Sequence, residues 1–434
     1  MTVPKREDPA AMRIAMLSVH TCPLATLGCK ESGGMNVYVR DLSRELGRRG
    51  IYVDVFTRNQ NPDAPQIRHL GANARVIHLP AGPRAPYDKH RVFDHLPEFT
   101  DNLIAFAEAE GIHYSLVHSH YWLSGWVAQQ LKIRWGTPIV QMFHTLGHMK
   151  NAVASTPQEM ETDQRIAVEG QIMGWADSLV AASPLEKAQL AWLYGADSAK
   201  IHVIPAGVDT ERFRPISVDI ARREINIPAD RKLILFVGRM EPLKGIETLF
   251  RAIAILAKET PCLCENIYVS IIGGEGESTE ATRSAEEERL RNLREELGLK
   301  ELITFLGSKD QDTLPYYYSA AYVVTVPSYY ESFGMVAVEA MACGTPVIAS
   351  KAGGLQYTIQ DGVTGLLFPT NSPDALADRL CTLLDEPELR DRMGASARQW
   401  AQRFSWTNIA DEIVTLYREV LGEGAASIRC ATCR

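Results

Sequence analysis

No apolar run in the 434-residue chain approaches the ~20 residues that a bilayer-spanning helix needs. Cations are also in short supply: 45 Lys and Arg face 53 Asp and Glu, a formal net charge of −8. That balance argues against nucleic acid or an anionic membrane as the main partner. The opening residues, Met1 to Pro9, lack the apolar region of a secretory signal and read as a short tail. The eight cysteines are scattered rather than arranged as a disulfide framework, which suits reduced thiols in a cytoplasmic protein. Cys430-Ala-Thr-Cys433 is a lone CxxC with no second pair near it, so it reads as tail before it reads as a zinc or redox site. The dinucleotide fingerprint GxGxxG is absent. There is no solenoid repeat either.

What remains is a globular composition, 46% apolar and 23% charged, in a chain long enough for two domains. Strand and helix signals alternate through both halves, which predicts an α/β class with doubly wound parallel sheets. In the first half, strands are expected at Met12–Ser18, Tyr52–Thr57, Leu116–Ser119, Pro138–Phe143 and Ser178–Ala182. Gly33-Gly34 opens a helix from Met35 to about Arg49, with no side chains where the backbone must approach something. His120 and His144 each close a strand, at the carboxyl ends where parallel sheets hold ligands. Arg84, Lys89 and Arg165 look like solvated surface by spacing alone. After Phe213-Arg-Pro215 a polar stretch reads as the interdomain linker.

In the second half, Leu233–Arg239 is a strand and Lys244 precedes the next helix, so Arg239 and Lys244 could hold a diphosphate. The most informative stretch is Pro327–Ser350. A helix opening near Gly334 is apolar all round, yet Glu339 sits in its middle, and a buried carboxylate must be bonded. Glu331 stands in the loop before it, and the free N–H groups of Gly334, Met335 and Val336 form an anion cradle between the two acids. This combination suits a polyhydroxylated, phosphorylated ligand, although a structural Glu339 and a solvated Glu331 fit the pattern equally.

Gly33-Gly34, Gly238-Arg239…Lys244-Gly245 and Glu331-Ser-Phe-Gly…Glu339, in this order, resemble the retaining nucleotide-sugar glycosyltransferases of family 4. The resemblance spans about Met12 to Leu421. It implies the GT-B fold, two Rossmann-like domains facing a cleft: an acceptor domain over 12–215, a nucleotide-sugar domain over 216–400, a returning helix over 401–422, and tails at 1–11 and 423–434. Ser18-Val-His-Thr-Cys-Pro23, Ser32-Gly-Gly-Met-Asn-Val-Tyr38, His118-Ser-His-Tyr-Trp-Leu-Ser-Gly125 and His144-Thr-Leu146 are most similar to the inositol-3-phosphate branch, with sucrose-phosphate synthases as near relatives.

The resemblance implies a nucleoside diphosphate sugar donor, UDP first among nucleotides, and a phosphorylated small-molecule acceptor. Gly33, Gly34, Arg239, Lys244, Phe333, Gly334, Met335 and Val336 would line the donor, with Glu339 on the ribose and Glu331 on the sugar. His120 would stand beside the sugar. His20, Asn36, Lys89, Tyr121, Thr145 and Arg165 would surround the acceptor, Lys89 and Arg165 on its phosphate. No cofactor is required, and Mg2+ and a homodimer are left open. The alternatives are transfer of glucose to fructose 6-phosphate and, from another class, a nucleotide-sugar epimerase of the same fold.

Overall fold

The computed structural model describes residues 12–25, 33–85, 87–88, 91–154, 156–227, 231–264, 266–274 and 284–422. Lys89, both tails and the CxxC at Cys430 and Cys433 lie outside them. The first half builds an eight-stranded sheet from β1 (Arg13–Leu17), β2 (Tyr52–Arg58), β3 (Ile67–Gly71), β4 (Ala74–Leu79), β5 (Leu116–His120), β6 (Ile139–Met142), β7 (Ser178–Ala181) and β8 (Ile201–Val203). Its order is β3-β4-β2-β1-β5-β6-β7-β8. Every pairing is parallel except β3 with β4. The second half builds six parallel strands: β9 (Lys232–Val237), β10 (Ile267–Ile272), β11 (Ile303–Phe305), β12 (Val323–Val326), β13 (Val347–Ser350) and β14 (Gly365–Phe368). Their order, β11-β10-β9-β12-β13-β14, is the Rossmann order.

Helices cover both faces of each sheet, so the strands are apolar without alternation; Leu233, Ile234 and Leu235 of β9 are all fully buried. The strand order reverses between β1 and β5 in one sheet and between β9 and β12 in the other. A crevice opens at each reversal, outside the carboxyl ends of the strands.

After the second sheet the chain runs through helices Pro373–Asp385 and Pro387–Ala401 and returns to the first domain. The return is fixed by a bridge between Val208 and Ser405, with the Val208 N–H donating to the Phe404 carbonyl at 2.7 Å. Helix Trp406–Val420, capped by Ser405 Oγ accepting from Asn408 N–H, then packs on helix Gly34–Arg48. Arg49 reaches Asp411 at 3.0 Å, but Asp411 is 68% exposed, so this pair contributes at most ~1 kcal/mol. Burial of Trp406, Ile409, Ile413 and Tyr417 outweighs it, at about 1.5–3 kcal/mol per large apolar side chain. The Tyr417 hydroxyl also meets His118 Nδ1 of β5 at 2.6 Å.

Candidate active site

The two crevices face each other across a cavity of about 450 Å³. The loops after β1 and β6 and the start of helix Gly34–Arg48 line one side; the loops after β9, β11 and β12 line the other. The halves meet closely. A Cβ on Gly34 would lie 3.1 Å from Met335 Sδ, and one on Gly33 3.7 Å from Arg239 Nε.

On the second-domain side the structure brings together Arg239, Lys244, Glu331, Phe333, Gly334, Met335, Val336 and Glu339. Arg239 pairs with Glu241 at 2.7 Å, and Lys244 Nζ donates to Glu331 Oε2 at 2.6 Å. The Glu331 loop is held from below by Gly353-Gly354. A Cβ on Gly353 would stand 1.9 Å from the Glu331 carbonyl oxygen, and Gly353 adopts φ +50°, so glycine is required there twice over. Gly334, at φ +96°, caps helix Met335–Ala342, whose first N–H groups have no intrahelical partner and point at the cavity wall. Glu339 is buried and accepts from the Tyr318 hydroxyl at 2.8 Å. Burial pushes its carboxyl up to about 7, against the lowering effect of that hydrogen bond.

On the first-domain side Tyr121 and Thr145 line the cavity, while Arg165, expected on the acceptor phosphate, lies behind them and does not reach it. Arg165 is fully buried and donates from Nη1 to the Tyr121 hydroxyl at 2.9 Å and from Nη2 to the Thr145 carbonyl at 2.7 Å and to Thr145 Oγ1 at 3.1 Å. Glu169 Oε1, at 2.7 Å, and Glu161 Oε1, at 3.0 Å, flank it four residues away on either side. Lys150, which lines the cavity, also bonds Glu161. Removing one member of such a buried network strands the rest. Arg165→Ala is therefore expected to cost about 3–5 kcal/mol of stability, checked by denaturant unfolding; a loss under ~1 kcal/mol would contradict the network.

His20 lines the cavity with its ring 4.4 Å from that of Tyr121. Asn36 lines it too, but its side chain is already engaged. Its Oδ1 accepts from the Gly33 N–H at 2.9 Å, and its Nδ2 donates to Thr21 Oγ1 at 2.6 Å and to the Cys22 carbonyl at 2.7 Å. Asn36 thus ties the Gly-Gly turn to the loop after β1.

His120 is not among the lining residues; its ring is fully buried. His144 reaches the cavity in its place, and its Nε2 meets His120 Nδ1 at 2.9 Å. His144 holds φ +62°, a left-handed conformation that a side chain rarely adopts and that costs of order 1–3 kcal/mol. Burial depresses His144 to about 3, and it lowers His120 well below its usual value, so both rings are neutral. Ser308, Lys309 and Gln311, after β11, line the cavity without having been singled out in the sequence. Their one signal was their place beyond a strand end. Among the described residues no three His, Cys, Asp or Glu are grouped to hold a metal, and no helix is long and apolar enough to cross a membrane.

Two Rossmann sheets with opposed switch points, and cations with a helix start on one wall, define a GT-B glycosyltransferase. The model of glycosyl transferases group 1 matches residues 217–400, and that of glycosyltransferase family 4 matches residues 32–212. The chain belongs to this glycosyltransferase family. It is similar to the D-inositol 3-phosphate glycosyltransferase of Saccharomonospora viridis, at 42% identity over 94% of each chain. The enzyme of the same name from Corynebacterium glutamicum is 40% identical over 94% of this chain and 97% of its own. Among solved structures, sucrose-phosphate synthase from Thermosynechococcus elongatus aligns with a TM-score of 0.86 at 37% identity, over 95% of this chain and 100% of the other.

Proposed function

We propose that the protein transfers a hexose or N-acetylglucosamine from a nucleoside diphosphate sugar, with UDP as the nucleotide, to a phosphorylated polyol such as 1D-myo-inositol 3-phosphate, with retention at the anomeric carbon. The observation that carries this reading is the placement of cations on both walls of one cavity: Arg239 and Lys244 on one, Lys150 on the other. A diphosphate and a separate phosphate monoester fit that arrangement. Relatives named for D-inositol 3-phosphate support the acceptor.

As the anomeric bond breaks, charge grows on the leaving diphosphate. Arg239, Lys244 and the N–H groups at Gly334–Val336 stabilise it, and such fixed donors are the largest catalytic contribution available here. Glu339 takes the ribose hydroxyls and Glu331 those of the transferred sugar. The acceptor hydroxyl attacks from the face the diphosphate leaves, and its proton passes to a leaving phosphate oxygen. No covalent intermediate is needed. Each lining carboxylate already has a partner, Glu241 on Arg239, Glu331 on Lys244 and Glu339 on Tyr318, unlike the two sugar-flanking acids of a retaining glycosidase.

Glu339 gives the reading a pH signature. Its carboxylate form accepts from both ribose hydroxyls, so nucleoside diphosphate affinity should fall as pH drops through about 7. The limit is about tenfold per pH unit, and Glu339→Gln should lose that component in a calorimetric titration. Stability runs the opposite way: the folded value is raised above the ordinary 4.5, so the stabilisation is full below 4.5 and lost as pH rises through about 7.

The test is diphosphate release from UDP-, GDP- and ADP-sugars with inositol 3-phosphate and with fructose 6-phosphate. The likeness to sucrose-phosphate synthase makes the second acceptor the alternative. Release with neither acceptor, or with unphosphorylated inositol equally, would refute a phosphate-reading site.

A further inference from the structure

A second cavity, of about 410 Å³, lies away from the first, beside the crossings between the domains. Thr210, Arg214 and Pro215 line it from the outward crossing between the domains, and Arg398 and Gln402 from the segment leading into the return crossing. Those two crossings are hydrogen-bonded to each other just beyond it, through Val208 and the Phe404–Trp406 backbone. Its remaining wall includes Ala342, the last residue of the helix whose first turn faces the active-site cavity.

Arg214 and Arg398 both stand exposed, and neither has an acid partner among the described residues. Arg398 falls in the last turn of helix Pro387–Ala401, where a cation is favoured without any ligand. That accounts for one arginine and not for the second across the cavity. The carboxyl end of helix Met335–Ala342 is a weak deterrent to an anion, because the carbonyls of Glu339, Ala340 and Met341 already accept from Cys343, Thr345 and Gly344. Two guanidiniums with a threonine hydroxyl and glutamine amides beside them form a set of donors suited to phosphate oxygens.

We propose that this cavity between the two crossings binds a small phosphate-bearing anion. A ligand held by Arg214 and Arg398 at once ties the outward crossing to the return segment. It also rests on the far end of the helix that cradles the donor diphosphate.

Calorimetric titration of the full chain with inorganic phosphate tests the site without any sugar donor, in a Lys150→Met, Lys244→Ala background that removes one phosphate-facing cation from each wall of the active-site cavity. Binding is expected to persist in that background, and to weaken about tenfold or more when Arg214→Glu and Arg398→Glu are added. Both arginines are exposed, so their replacement should leave the fold intact. Loss of all binding in the Lys150→Met, Lys244→Ala protein, or equal binding after the two arginine changes, would overturn the site.

Discussion

Glu331→Ala is expected to lower turnover by about a thousandfold while leaving nucleoside diphosphate binding intact. In the structure Glu331 Oε2 accepts from Lys244 Nζ at 2.6 Å, and both side chains are 19% exposed. Neither charge is therefore committed to bulk water, and each has a second use when donor arrives. On the proposed reaction, Lys244 turns to the diphosphate, which releases Glu331 to the hydroxyls of the sugar. Alanine removes only the second of these. Lys244 is then left without its competitor, so the affinity for nucleoside diphosphate should stay level or rise. Loss of both turnover and nucleotide binding would mean that Glu331 shapes the diphosphate site, and a near wild-type rate would remove it from the mechanism. Glu331→Gln separates charge from shape. It keeps an acceptor oxygen but loses the pull on Lys244, and should fall between the two. Calorimetry for the diphosphate and a release assay for turnover give both quantities.

That pairing shows where the sequence was readable and where it was not. The helix at Met335–Ala342, the buried Glu339 and the anion-binding turn before it all follow from local pattern, because an apolar run with a single acid has few folded solutions. Lys244 and Glu331 stand 87 residues apart, and nothing in spacing joins them. The topology does so, by placing β9 and β12 side by side. Arg165 is instructive in the opposite sense. By spacing it read as solvated, yet Glu161 and Glu169 stand four positions before and after it, a pattern that would support a shared helical face. Only packing against Tyr121 and Thr145 takes that cluster out of water. Strand β3 has no comparable local signal. Ile67–Gly71 carries Arg68 and His69 among few apolar residues, lies at the sheet edge and pairs antiparallel, so neither a buried run nor the βαβ rhythm announced it.

Histidine shows the same division between type and placement. Both His120 and His144 close strands, and the resemblance places only His120 beside the sugar, but it is His144 that lines the cavity. His144→Ala should lower turnover by about a hundred- to a thousandfold, with diphosphate affinity kept, because its ring reaches the cavity while no phosphate-holding group is lost. His120→Ala should cost less, about ten- to a hundredfold, since its buried ring acts through the 2.9 Å contact with His144 Nε2. The order of the two losses is the discriminating result; a larger loss for His120→Ala would restore it as the group beside the sugar. The strained turn at His144 explains why the ring stays in place. Arg165 holds the Thr145 carbonyl at 2.7 Å, and Glu169 Oε2 accepts from the Gly147 N–H at 2.9 Å, so the corner is clamped from both sides. Arg165 therefore also helps fix the His144 imidazole. With burial holding His144 at about 3, the ring is neutral from pH 5 to 8 and the rate profile should show no limb from its titration there. On the proposed reaction it can donate or accept a hydrogen bond to sugar hydroxyls throughout that range, but it would bring no positive charge to repel oxocarbenium character as the diphosphate departs. A limb near pH 6.5 that vanished in His144→Ala would reverse that assignment.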